Sequence, residues 1–116
     1  MAWKTLDERH QEALDALRRA ADAVRADLAA FAGAHPQGRF ILYGSVVRGT
    51  AAPDSDLDIL VDYPPDSDRE AWTAAEDACR RHGLRGDIMP VAWTKPAFVA
   101  RVLERGAEIV GGDAPQ

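Results

Sequence analysis

The chain has 116 residues, 47% of them hydrophobic, and 19 acidic residues against 14 basic ones leave a net charge of −5. That length suits one domain with a real core and excludes two independent cores or general disorder. The acidic balance speaks against gripping a phosphate backbone as the main task, and the lone Cys79 excludes an internal disulfide or a cysteine-based zinc site.

Thr5 and Glu8 form a capping-box pattern that opens a helix. Leu14, Leu17, Ala21, Val24, Leu28 and Phe31 then recur at spacings of three and four, one apolar stripe running to about Ala32, where Gly33 and Pro36 end it. Such a helix is about 40 Å long, more than a small sheet covers. Either it lies across the sheet, or part of the stripe serves a partner or a second copy.

Residues 39–43 are a short apolar run ended by Gly44, read as a buried strand. Residues 45–48 make a helical turn stopped by Gly49, and 51–55, with Pro53 and Asp54, make a loop. A second strand covers 57–61 and closes at Pro64-Pro65. Ser67 and Glu70 repeat the capping-box pattern ahead of a helix to about His82, with Gly83 behind it.

Residues 87–93 read as a third strand, irregular at Pro90 and so an edge or a bulge. Thr94 is placed to cap a last helix with Phe98, Val99, Val102 and Leu103 inward, ended by Gly106. Residues 107–110 add an extended piece. The expected fold is a single α/β domain over 1–110, with an N-terminal helix (1–34) and a sheet core (39–110) in which a short mixed sheet packs with helices. Residues 111–116 read as a flexible tail. Without a charged-then-apolar leader or an apolar run of about 18 residues, neither secretion nor membrane insertion is expected, and the expected location is cytoplasmic.

Four carboxylates, Asp54, Asp56, Asp58 and Asp62, crowd the second strand and its approach. Strand alternation lets Leu57, Ile59 and Val61 face a core while Asp56 and Asp58 share the other face. Two carboxylates one strand repeat apart repel unless a cation lies between them. A divalent metal fits that need, since hard cations take carboxylate oxygens; Arg48 is the alternative neutraliser. Asp87 is the best third acid. Asp62 lies roughly 13 Å along the strand from Asp58 and reads as a strand end.

Gly44-Ser45 follows a strand and precedes a helical turn. Glycine permits close backbone approach, and the serine hydroxyl and free amides suit a phosphate, although a plain turn has the same sequence. His10, His35 and His82 share no metal-ligand spacing, and Trp3, Trp72, Trp93 and Tyr43 read as packing residues.

Gly44-Ser45, ten residues, then Asp56-x-Asp58 resembles the signature of the polymerase-beta-like nucleotidyltransferases. A shuffled chain of this composition matches that pattern roughly 0.003 times. Arg48-Gly49 and Ser55-Asp56 also sit where small members of that superfamily carry Arg-Gly and Ser-Asp. The short length resembles the minimal nucleotidyltransferases, which look like antitoxins of HEPN/MNT toxin–antitoxin pairs.

The resemblance implies two Mg²⁺ ions held by Asp56, Asp58 and Asp87, and ATP as substrate bound by Gly44, Ser45, Arg48 and Ser55. It implies transfer of AMP to a hydroxyl acceptor, a Tyr or Ser of a partner HEPN-type toxin. Two other readings stay open. One is an antibiotic-type nucleotidyltransferase acting as a homodimer on a small molecule. The other is an antitoxin that binds its toxin without chemistry. The acidic balance gives no expectation of nucleic acid as a partner.

Overall fold

The structure, a computed structural model, describes residues 5–112. Its central pair of strands is antiparallel: β1 (Arg39–Tyr43) and β2 (Leu57–Asp62) align Arg39 with Asp62 and Tyr43 with Asp58. β3 (Gly86–Pro90) adds to β2 in parallel, and β4 (Glu108–Gly111) adds to β1 antiparallel. The strand order is β3-β2-β1-β4, a mixed four-stranded sheet with β3 and β4 as its edges.

Alternation sends the two faces of β1 and β2 to different cores. Phe40, Leu42, Leu57, Ile59 and Val61 join a large cluster with α1 (Leu6–Ala34) and α3 (Asp68–Arg81). Ile41 and Leu60 point the other way, to a small cluster with Val102 of α4 (Pro96–Glu104). With both faces covered, β1 reads as a continuous apolar run rather than an alternating one.

α1 begins as expected, with Thr5 Oγ1 accepting the Glu8 amide at 3.0 Å. It runs through Gly33 to Ala34, two residues past the expected end, and His35 closes it by donating its amide to Phe31 and Ala32. Leu17, Ala21, Val24, Leu28 and Ala32 are buried and Leu14 is half-buried, whereas every residue from Leu6 to Ala13 is exposed. Most of the stripe therefore lies on the sheet and α3, and the first two turns reach past them.

Several expected local features differ. Ser67 precedes α3 but makes no capping bond, because its hydroxyl turns back to the Pro64 carbonyl while Glu70 approaches His35 at 3.5 Å. Thr94 likewise donates to the Val91 carbonyl at 2.8 Å, and α4 starts instead from Lys95 with Pro96 at its first position. The third strand stops at Pro90, which has no amide to donate, and Val91–Trp93 form a 3-10 turn. Leu103 is exposed rather than inward. Residues 108–111 are a full edge strand, so the expected tail loses Gly111 to the sheet; Trp3 and residues 113–116 lie outside the described residues. Among the described residues no helix is long and apolar enough to cross a membrane.

The contact between α1 and α3 is fastened by Asp27, which takes His82 Nε2 at 2.9 Å and Arg81 Nη1 at 2.6 Å. The His82 hydrogen bond, helped by Arg81 against the opposing effect of burial, holds the Asp27 carboxyl below its ordinary value. A carboxyl lowered by folding stabilises above its unfolded pKa and loses that contribution as pH falls through its folded one. Asp27→Asn is expected to lower Tm at pH 7 by about 2–4 °C, for a loss of roughly 0.5–1 kcal/mol. The gap between variant and wild type should close as thermal melts are taken down through pH 4 to pH 2, and a constant gap would refute the clamp.

Candidate functional site

β1 ends at Tyr43, and the chain turns at Gly44 into α2 (Ser45–Arg48). Gly44 has φ 88° and ψ −164°, a combination that side chains resist. Its place explains the requirement, because a Cβ there would sit on Asp58 Oδ2. The corner between β1 and α2 thus rides directly over the Asp58 carboxylate. Gly49 closes α2 in the left-handed conformation with open space around it.

Asp58 is half-buried on the α4 side of the sheet, opposite Leu57 and Ile59. In the parallel β2–β3 pair its Cα partner is Asp87, and paired positions share a face. In the antiparallel pair its partner is Tyr43. Tyr43, Asp58 and Asp87 therefore form a transverse row over three strands. Burial first, then Asp87 and Asp56, push the Asp58 carboxyl above its ordinary value, and Arg48 opposes them. Burial, with Asp58 and Asp87, raises the Tyr43 phenol to about 12, so it stays protonated. Tyr43 is half-buried, packed against the edge of the small core, and its ring meets Phe98 of α4 edge-on at 5.9 Å.

Asp56 lies one residue ahead of β2 and is exposed. Its Oδ1 is 3.1 Å from Arg85 Nε, and Arg85 also donates to the Asp54 carbonyl at 2.9 Å. Ser55 serves the same loop, since its hydroxyl oxygen accepts the Ala52 amide at 2.9 Å. Ser45 opens α2, and its hydroxyl makes no hydrogen bond among the described residues. Asp62 pairs with Arg39 at 2.8 Å, away from this row.

The row borders a cleft of about 250 Å³ whose lining includes Tyr43, Gly44 and Asp58 together with Arg48, Arg101 and Arg105. The two α4 arginines were not legible as site residues, because an outward-facing helix position carries no sign of what it overhangs.

Among the described residues no three His, Cys, Asp or Glu side chains stand grouped so as to hold a metal. In kind, the donors fit a hard divalent cation: Asp58 and Asp87 share a face, and Asp56 adds to the field at Asp58. Asp56 would have to leave Arg85, an exposed contact worth about 1 kcal/mol or less.

Residues 22–108 match the nucleotidyltransferase domain family. The chain belongs to that family. The span covers β1, β2 and β3, the Gly44 corner and the acid row, and leaves the first half of α1 and all of β4 but Glu108 outside it. The nucleotidyltransferase chain is also 46% identical over 72 residues to the CCA-adding enzyme of Haloarcula marismortui, covering 60% of this chain and 14% of that enzyme. It thus spans about a seventh of the length of that curated relative.

The fit between Gly44 and Asp58 predicts unequal costs for two glycine substitutions. Gly44→Ala should lose about 2–3 kcal/mol, for the strained backbone and the displaced carboxylate. Gly49→Ala should lose only about 1 kcal/mol. Urea unfolding of both variants checks the order, and equal losses would refute the close approach.

Proposed function

We propose that this nucleotidyltransferase moves AMP from ATP to a hydroxyl on a partner protein, a Tyr or Ser of a HEPN-type toxin, and so acts as its antitoxin. The observation that carries the transfer reading is the register of Asp58 with Asp87, side by side on adjacent parallel strands beneath the Gly44 corner. Family membership supports nucleotidyl transfer as the chemistry. The toxin as acceptor is supported by the resemblance of the Gly44-Ser45, Arg48-Gly49, Ser55-Asp56 and Asp58 constellation to the minimal nucleotidyltransferases. The net charge of −5 also favours a protein acceptor over a polyanionic one.

In this reading Asp56, Asp58 and Asp87 hold Mg²⁺. Bound divalent cations supply charge neutralisation and activation of the acceptor oxygen in such transfers. Gly44 brings the backbone against the phosphates without a side chain in the way, and the uncommitted Ser45 hydroxyl donates to a phosphate oxygen. Arg48 adds charge-assisted hydrogen bonds. Ser55 acts at one remove, by fixing the loop that delivers Asp56.

The acceptor oxygen attacks the α-phosphorus in line, the bond to the β-phosphate oxygen breaks, and pyrophosphate leaves with its electron pair. Asp87, exposed at the sheet edge, receives the hydroxyl proton. Tyr43, held protonated, serves as a donor and not as the base.

A second reading is favoured by the 46% identity to a CCA-adding enzyme: an RNA 3′ hydroxyl as acceptor. One experiment separates the two. The protein is incubated with α-labelled ATP and Mg²⁺, and with either the product of the adjacent reading frame or tRNA lacking its 3′ end. Label is expected on the protein partner. It should fall by about 10³-fold or more for Asp56→Asn with Asp58→Asn, the several kcal/mol that charge stabilisation supplies. Label on the tRNA alone would establish the second reading. A tight protein complex with no label on either acceptor would leave a binding antitoxin.

A further inference from the structure

Arginines elsewhere on this acidic chain are mostly committed. Arg25, Arg39, Arg80 and Arg81 hold Asp22, Asp62, Asp77 and Asp27 at 2.6, 2.8, 2.8 and 2.6 Å. The side chains of Arg48, Arg101 and Arg105 make no ion pair or hydrogen bond among the described residues, yet all three residues line one cleft. Asp58 is the carboxylate on that lining, and it already feels Arg48. Three guanidiniums converging on one space repel one another unless an anion lies between them.

We propose that Arg101 of α4 and Arg105 at its C-cap, lining the same cleft as Arg48, form a polyphosphate subsite that takes the β- and γ-phosphates of the nucleoside triphosphate. The assignment rests on the nucleotidyl-transfer reading of the same cleft and gives it a specificity determinant. Arg101 and Arg105 are four residues apart, so they leave α4 on one side, one turn from each other. Guanidinium forks at that spacing grip neighbouring phosphates in pairs of parallel hydrogen bonds. A cleft of about 250 Å³ has room for a phosphate chain.

The charges of the lining agree. Asp58 and the three arginines line the same cleft, so a polyphosphate with its α-phosphate at the carboxylate has its far end at the arginines of the α4 end. Cations near a helix C-terminus are favourable in any case, through the helix dipole. That effect is satisfied by arginines on any side of the last turn and does not place two of them on the cleft that Arg48 also lines.

Isothermal titration of the full chain with inorganic tripolyphosphate, ATP and AMP tests the subsite. Arg101→Gln with Arg105→Gln is expected to weaken tripolyphosphate and ATP by at least 10-fold, while AMP changes by less than about 2-fold. Arg19→Gln with Arg69→Gln, an equal loss of charge at exposed positions, should bind all three as wild type does, and circular dichroism melts check that both variants fold. Wild type failing to bind tripolyphosphate would overturn the proposal. So would an unchanged α4 variant, or a control pair losing as much. Loss of single-stranded RNA binding in the α4 variant with ATP binding intact would overturn it too. The two readings fail separately. Arg101-dependent tripolyphosphate binding without label transfer keeps the subsite and removes the transfer reading. Label transfer with an unchanged KM for ATP in the α4 variant does the reverse.

Discussion

Leu57 and Asp58 are neighbours in sequence and belong to opposite sides of the sheet, so everything else depends on how β2 is registered against β1. A one-residue slip would drive Asp58 and Leu60 into the α1–α3 core and turn Leu57, Ile59 and Val61 out. The large core forbids that slip, because it would bury a carboxylate without a partner. Hydrophobic packing on one face thereby fixes the position of charge on the other. Strand pairing then aligns Tyr43 and Asp87 with Asp58.

The same register sets two like charges side by side. Asp58 and Asp87 gain nothing from each other, and burial adds to the difficulty for Asp58. The fold tolerates this because the stabilising contacts lie elsewhere, in the α1–α3 layer and its Asp27 clamp. Unneutralised carboxylates at one end of a sheet and unpaired guanidiniums in one cleft are each unfavourable alone. The polyphosphate and cation proposed above would offset both.

Alternation made the two faces of β2 legible from sequence, and the order of helices and strands followed from apolar spacing and glycines. What depended on distance along the chain was less visible. Asp87 stood out as an acid at the start of a strand, but its alignment with Asp58 passes through a parallel crossover and is set by α3 packing. Tyr43 looked like strand core, and an apolar run does not reveal that it stands half-buried at the edge of the small core. Ser67 and Thr94 looked like caps because sequence does not show that a carbonyl three residues back lies closer than the helix amides. Asp56 stands just ahead of the strand as its expected bounds imply, but its contact with Arg85 is one that no spacing reveals.

The exposed start of α1 has a consequence of a different kind. From Leu6 to Ala13 the helix buries nothing, and it lies ahead of the residues that match the family. A helix of so few residues is marginal in water by itself. Its amides will therefore exchange with solvent through local fraying, on a scale set by helix propensity, while those of β1 and β2 wait for the whole domain to open. This segment can change sequence, or be held by something else, without the acid row registering the event.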